Sequence, residues 1–346
     1  GETTSAANKN QNFILNEAWA KYQVSEKLGL KLGRQILSYD NERLVGSLDW
    51  AMQGRSFDAL KGIYKFNPNS KLEVVVTYNN DDNDLNDLPE KEIYSIAEAG
   101  EITKSLQIIH YDYSGKNKFQ FSAIAMNQVL QNPSGAHYDL LTVGINSKKY
   151  LENIGFFGSA YYQTGKNTLA QSKNAYQFSA NVDFLIHSKF NVILGTEWLS
   201  GRNFDTDSGE NKSFSPMYGT NHLHNGFMDY FYFGNSHFNS FGLNDYYLKS
   251  NLKFSPNSIL QANLHAFTSN GKLGFDTSGE KIPSYLGTEL DLVFTHKIGK
   301  SITANLGHSF MFSGKSMEYL KNVPEPKNLQ TWSWIAFRIA PNFKIK

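Results

Sequence analysis

Apolar and polar side chains alternate along most of this chain. From Tyr176 to Phe184, the residues Tyr176, Phe178, Ala180, Val182 and Phe184 fall on one side of an extended backbone, and Gln177, Ser179, Asn181 and Asp183 on the other. Leu260–Thr268 sets Leu260, Ala262, Leu264 and Ala266 against Gln261, Asn263 and His265. Leu286–Phe294 sets Leu286, Leu290, Leu292 and Phe294 against Gly287, Glu289 and Asp291. A period of two is the strand period, and helical spacing fits none of these segments. About fifteen such segments can be drawn. Each is roughly ten residues long, the length a tilted strand needs to cross a bilayer.

The connections predict how the strands are arranged. Short ones at Ser25–Lys27, Asn67–Ser70, Gly115–Lys118, Ser188–Lys189, Ser255–Ser258 and Gly299–Lys300 carry the Asn, Pro, Gly and Ser of tight turns. They alternate with long ones at Tyr39–Arg55, Asn79–Ile102, Gln131–Ala136, Gly165–Asn174, Gly201–Gly242, Ser269–Ile282 and Gly314–Asn328. Long loops at one end and short turns at the other are the habit of outer-membrane barrels. The opposite face of each strand is too polar for a second core, yet too regular for ordinary surface. A barrel with lipid outside and water inside accounts for both faces. Tyr22, Phe66, Tyr78, Phe119, Phe190 and Phe254, near strand ends, suit interfacial aromatic girdles. The expected fold is therefore all-β: one transmembrane antiparallel β-barrel domain over residues 1–346, with about fifteen strands in this chain.

Composition narrows the class further. Aromatic residues make up 14% and charged residues 19% of the 346 residues, and the net charge is +1. That balance excludes the basic stripe of a nucleic-acid binder, and the aromatic load argues against disorder. Cysteine is absent, which removes disulfides, thiolate metal sites and cysteine nucleophiles. Mean hydropathy is −0.44, and no apolar run approaches the ~18 residues of a membrane helix. The first strand, near Ile14–Val24, runs into a short turn, and the last, near Thr331–Ile339, leaves a long loop. With short turns periplasmic and an even strand count usual, the expectation is that an odd number of strands precedes Gly1, together with a signal peptide.

Two stretches carry a family resemblance. Asn16–Tyr22 reads NEAWAKY, and Gly33–Leu60 holds GRQ, a following tyrosine, RLVG, DW and GRSFDA in order. Met217–Asn235, MYGTNHLHNGFMDYFYFGN, is followed by GLNDYYLK. The chain resembles the alginate-export family of outer-membrane porins, the second stretch resembling its Bacteroidetes-type members. That resemblance implies a barrel of about eighteen strands, and so sixteen to eighteen in the intact protein. It leaves the solute open.

Candidate residues follow from the faces. The inward basic set is Lys21, Lys31, Lys61, Lys65, Lys249, Lys253 and Arg338; the inward acidic set is Glu17, Glu73, Asp112, Asp183, Glu197, Glu289 and Asp291. The basic set gathers on the early strands and the last, the acidic set on the middle and later ones. Opposed charged walls would orient polar solutes, and ordinary lumen solvation is the plainer reading. The loop after the second strand holds Arg34, Arg43 and Arg55 with Asp40, Glu42, Asp49 and Asp58. One reading is a cationic rim that meets a uronate or another organic anion, since Arg pairs carboxylates through a planar fork. The other is an Arg–Asp network that fastens the loop to the wall, with Trp50 as a packed anchor. Strict alternation points Arg34 towards lipid unless a bulge turns it.

The second half of Gly201–Gly242 is crowded with apolar and aromatic residues, Tyr218, Phe227, Tyr230 and Tyr232 among them, beside His222 and His224. Such a segment should fold over or into the barrel mouth. His222, His224 and Asp229 read as hydrogen-bonding loop residues. Asp205, Asp207 and Glu210, like Asp81, Asp82 and Asp84, read as solvated acidic loops, because neither stretch completes a calcium loop. No metal or cofactor is expected. No nucleophile elbow, H-E-x-x-H or phosphate-binding loop is present, so an enzyme is not expected. The expected function is a passive outer-membrane channel for small hydrophilic, perhaps anionic or uronate-type, solutes, with outer-membrane lipid as its surroundings and no nucleic-acid partner. The alternative is a structural barrel that docks other envelope proteins, its lumen blocked by the 201–242 loop.

Overall fold

The computed structural model describes residues 15–48, 54–79, 102–116, 118–132, 134–231, 240–322 and 327–341. One antiparallel sheet runs through β1 (Ala18–Gln23), β2 (Leu28–Gln35), β3 (Phe57–Asn67), β4 (Ser70–Tyr78), β5 (Ile102–Ser114), β6 (Phe119–Gln131), β7 (His137–Leu151) and β8 (Ile154–Lys166). It continues through β9 (Ser172–His187) and β10 (Phe190–Leu199), then β12 (Leu243–Ser255), β13 (Ser258–Thr268), β14 (Tyr285–Ile298), β15 (Ile302–Ser313) and β16 (Leu329–Ile339). The two-residue β11 (Glu210–Asn211) pairs in parallel with β9. Every strand of the main path pairs with its sequence neighbours, so the sheet is an up-and-down barrel wall. Among the described residues no pairing joins β1 to β16. The short helix α1 (Ser316–Lys321) sits in the β15–β16 loop. Among the described residues no helix is long and apolar enough to cross a membrane; the strands do so.

Short turns and long loops alternate at every connection. The turn at Glu152–Asn153, which carries no Gly or Pro, completes the set; Glu152 takes a left-handed φ of 46° there.

The period of two sets the two faces. On β9, Tyr176 and Phe178 are exposed while Gln177 is 1% exposed. On β13, Leu264 faces out while Asn263 and His265 are buried. Leu32, Leu60, Val76, Ile109, Leu194, Leu248 and Leu306 continue the outward apolar band around the wall. In water such a band would be an aggregation surface; in lipid it is the solvated face. Tyr22, Phe66 and Phe254 lie at the short-turn ends, and Tyr64, Phe66 and Tyr111 pack edge to face at 5.1 and 6.2 Å.

One position departs from simple alternation, and one charge keeps to it on the outward face. Leu286, expected to face lipid, is buried: the β13–β14 register slips between Phe267 and Thr268, pairing Thr268 with Tyr285, and the extra residue turns inward. Arg34 needs no bulge. It faces outward opposite Asp58, and Nε and Nη2 grip the Asp58 carboxylate at 2.9 and 2.8 Å. A planar ion pair at the external ends of β2 and β3 thus explains a charge on the outward face.

The inner face is less uniformly polar than alternation implied. Val75, Leu106, Ile108, Ile124, Met126 and Leu130 line the external half of β4–β6 and are buried by Leu37, Leu44, Val45 and Tyr218 from two loops. The lumen therefore holds a small hydrophobic core of its own.

Candidate solute pathway

Two loops enter the barrel and interlock. Residues 36–48, after β2, and residues 200–231, after β10, meet in a parallel bridge between Val45 and Tyr218. Gly46 N donates to the Tyr218 carbonyl at 2.8 Å, and Thr220 N to the Glu42 carbonyl at 2.9 Å. Arg55 donates to the carbonyls of Tyr218 and Gly219. Gly219 permits this approach, since a Cβ there would lie 2.4 Å from the Arg43 carbonyl oxygen. Thr220 Oγ1 and Ser38 Oγ donate to the Glu42 carboxylate at 2.5 and 2.7 Å. Burial opposes that charge, but the hydroxyls hold Glu42 below its ordinary value.

Arg43 ties this double plug to the wall. Its side chain is fully buried, with Nε 2.8 Å from Glu197 Oε1 and Nη2 on the other carboxylate oxygen. Nη2 also donates to Asn225 Oδ1 at 2.6 Å. Gln177 and Asn225 each add a 2.9 Å bond to Glu197, so both carboxylate oxygens are satisfied. Asn225 reaches Asp245 at 3.3 Å, and Asp245 holds His265 at 2.9 Å. Further round, the main chain of the plug docks on two buried carboxylates: Met228 N on Glu289 at 2.9 Å and Phe227 N on Asp291 at 3.3 Å. Gly226 (φ 86°) allows it, because a Cβ there would come within 2.5 Å of Glu289. His224, beneath Arg43, bonds the Asn41 carbonyl; burial and then the Arg43 charge hold its imidazole down to about 3, so it is neutral.

The opposite wall is basic. Lys21 stands directly across from Lys31, and Lys31 across from Lys61. Lys65 stands across from Lys71. Like charges in direct register repel. Glu73 relieves only part of this, accepting from Lys61 at 3.3 Å and Lys71 at 2.9 Å. Lys31 lies 3.9 Å over the Trp19 ring, and Trp19 in turn donates to Glu17 at 3.2 Å.

Between the plug and the short-turn end lies a cavity of about 650 Å³. Residues 38–41 roof it, and β3 to β9 wall it with Lys61, Lys71, Glu73, Lys148, Phe157 and Asn181. Asp40 anchors the roof, accepting from His110 Nε2 at 3.1 Å and Ser122 Oγ at 2.5 Å.

The structure sorts the candidates read from sequence. Lys21, Lys31, Lys61 and Lys65 share the inner face of β1–β3, with Glu17 beside them. Glu197, Glu289 and Asp291 hold the plug, and Lys249 lies among them, 4.6 Å over the Tyr247 ring. Asp183 accepts from Asn191 at 2.9 Å near the short-turn end. Lys253 and Arg338 are exposed at the same end of the inner face. The open cationic rim is corrected: Arg43 and Arg55 are buried fasteners inside the lumen, and Arg34 with Asp58 is an outward ion pair. Both guanidiniums find their acceptors inside the lumen, the Glu197 carboxylate for Arg43 and the Tyr218 and Gly219 carbonyls for Arg55, so the loop is held there and not at the mouth. Asp49, Trp50 and Tyr232 lie outside the described residues. Tyr218 and Phe227 are in the plug; Tyr230 bonds Gln330 of β16, and His222 bonds Asp229 at 2.8 Å. Among the described residues no cluster of three or more His, Cys, Asp or Glu is placed to hold a metal. Alternation alone could have marked Lys71, Lys148, Asp245 and His265, whose strands read cleanly. Nothing in the sequence marked Asn225, or Asn221, whose Oδ1 accepts from Arg43 Nη1 at 3.4 Å.

Comparisons with known proteins agree with this architecture. The family model described as alginate export matches residues 3–323. Among solved structures, Pseudomonas aeruginosa OccK5 (OpdH) is similar at TM-score 0.60 and 11% identity, over 94% of this chain and 81% of that one. OccK11 (OpdR) from the same organism is similar at 0.55 and 10%, over 92% and 78%. OpdK from that organism, solved with vanillate, is similar at 0.59 and 12%, over 92% and 76%. At such identity these share the fold. No curated protein matches.

Proposed function

This chain belongs to the alginate export family and is a porin-like channel of the bacterial outer membrane, and from that premise we propose that it passes small hydrophilic solutes with a preference for anions, uronates among them. The observation that supports the preference is the lysine register across β1, β2 and β3, Lys21 to Lys31 to Lys61. Repulsion in direct register costs stability, and an anion moving along that wall would relieve it. The acidic wall does not cancel the preference, because its carboxylates are spent on the plug. Reversal potentials of the purified protein in planar bilayers under a salt gradient test this: anion preference supports it, and cation preference rejects it.

The second reading, a docking barrel with a blocked lumen, is supported by the full burial of Arg43 between the plug and β10. Deleting residues 217–238 separates the two. A channel gains conductance when the plug goes; a scaffold stays silent.

A further inference from the structure

The lipid-facing side of the wall carries a charge at the short-turn end of β7. Leu141, Val143 and Ile145 of that strand are exposed on the outward face, and the same period brings Lys149 to it. The register agrees. Lys149 stands directly across from Phe119 of β6 and Phe156 of β8, and Leu151 across from Ile154. Directly opposed residues share a face, and Leu151 and Phe156 are exposed on the outward one. Lys65, Lys71, Lys148 and Lys253, at similar depth, keep to the inner face. Arg34 is outward too, but lies at the external end and is paired with Asp58. Lys149 lies next to the Glu152–Asn153 turn, at the interface, where a lysine on the lipid face costs least.

A hollow of about 550 Å³ opens there, lined by Lys118, Lys149, Tyr150, Leu151, Glu152 and Ile154. Among the described residues no ion pair or side-chain hydrogen bond engages Lys118, Lys149 or Glu152. Lys149 leans only on the Phe119 ring, 6.0 Å from its centre. An ammonium group offers three donors and no acceptor, which suits the oxygens of a phosphate. The Glu152 carboxylate only accepts, which suits a primary ammonium. The apolar side of the hollow, Leu151 and Ile154, is continuous with the outward band through Phe156, and so suits acyl chains.

We infer that this hollow binds a glycerophospholipid of the inner leaflet, with its phosphate on Lys118 and Lys149 and a primary-amine headgroup on Glu152. The site lies outside the wall and takes no part in the solute pathway, so it is independent of the anion preference. Phosphatidylethanolamine has both groups. Phosphatidylglycerol has the phosphate without the ammonium, and the quaternary ammonium of phosphatidylcholine has no N–H to donate.

Native mass spectrometry of the full chain tests this, with the barrel folded in detergent and given these three lipids in equal amounts with identical acyl chains. Phosphatidylethanolamine should be retained as the first bound lipid at least threefold over either of the others. Lys118→Gln combined with Lys149→Gln should lower its retention about tenfold, while Lys149→Arg should keep it, because a guanidinium also donates to phosphate. Glu152→Gln should bring phosphatidylethanolamine down to the level of phosphatidylglycerol. Glycerophosphoethanolamine, the same headgroup without acyl chains, should not displace the lipid at hundredfold excess. All of these side chains are exposed or half-buried at a strand end, so each variant should migrate on an unheated gel as the parent does. Equal retention of the three lipids, or a double variant that retains phosphatidylethanolamine as the parent does, would overturn the site. A parent preference for phosphatidylglycerol, or a Glu152→Gln protein that keeps the parent preference, would overturn the amine contact in favour of a plain anionic-lipid site. Displacement by glycerophosphoethanolamine would overturn the lipid as occupant in favour of a soluble phosphoester. None of these readouts needs ion conduction, so a silent bilayer would count against the channel reading alone.

Discussion

On β10, β12 and β14 the carboxylates of Glu197, Asp245, Glu289 and Asp291 are buried, and each accepts a hydrogen bond from the plug or from a neighbouring strand. On β1, β2 and β3 the ammonium groups of Lys21, Lys31 and Lys61 face the lumen opposite one another, and among the described residues only Lys61 of the three reaches a carboxylate. Both walls are charged, but one charge set is consumed by the fold and the other is left for whatever enters. Removing a buried partner strands the other in a dry site, whereas removing one of several repelling charges relieves the rest. The two walls should therefore answer to mutation with opposite signs.

The largest effect belongs to Arg43. Arg43→Ala leaves Glu197 buried without its ion-pair partner, at a cost of about 3–5 kcal/mol. The strand ladder does not depend on that pair, so the loss should appear as release of the plug: faster proteolysis within residues 213–231 and higher conductance, with the barrel still heat-stable. Arg43→Met combined with Glu197→Leu should restore most of the protection, because no charge is then stranded. If the single variant keeps the plug as protected as the parent, Arg43 is not the fastener.

Next comes pH. His224 is held neutral in the folded plug, with its pKa brought from the ordinary 6.5 to about 3. The unfolded or undocked loop binds a proton that the docked loop does not, so docking weakens as pH falls from about 6.5 towards 3. At pH 5 the loss is about 2 kcal/mol. Cleavage within 213–231 should accelerate between pH 7 and pH 5, and His224→Gln should flatten that dependence. A pH-independent rate in the parent would show that the plug does not undock around this histidine.

On the lysine wall the sign reverses. Lys31→Gln removes a charge flanked by Lys21 and Lys61 and should stabilise the protein by about 0.2–1 kcal/mol, read as a rise in the denaturant midpoint. A fall would mean that the Trp19 contact outweighs the repulsion.

What could be read from the chain, and what could not, divides along the same line. The strands were legible because lipid and water impose a period of two, and because short turns carry their own residue types. The inward charges of β1–β4 and β9–β14 were legible from the same period. The fate of Arg43 and Arg55 was not. Their partners, Glu197 and the Tyr218 carbonyl, lie more than 150 positions away, and no local pattern says which loop will fold into a barrel. The aromatic crowding at 217–231 signalled that this segment leaves water; the Val45–Tyr218 bridge that joins it to the other loop had no sequence signature. Leu286 failed for a third reason, since one bulged residue reverses a face without changing composition.

The smallest effect is ion selectivity. With the acidic wall engaged by the plug, the charge that an ion meets is set mainly by Lys21, Lys31, Lys61 and Lys65, opposed by Glu17 and Glu73. Basic groups along a pathway lower the energy of an anion and raise that of a cation. The lysines line one wall of a wide sheet, so the field is partly screened and the preference should be mild. Screening falls within about 10 Å at 0.1 M salt and about 3 Å at 1 M, so the reversal potential should shrink towards zero as salt rises. Lys61→Glu should reverse its sign at low salt, because it also leaves Glu73 with one lysine in place of two. Arg338→Glu, on the last strand, should move it less. Releasing the plug with Arg43→Ala should then shift the parent preference towards cations, because Glu197, Glu289 and Asp291 would face the lumen without the donors that the plug supplies. If plug release leaves the selectivity unchanged, the two walls are not electrically opposed.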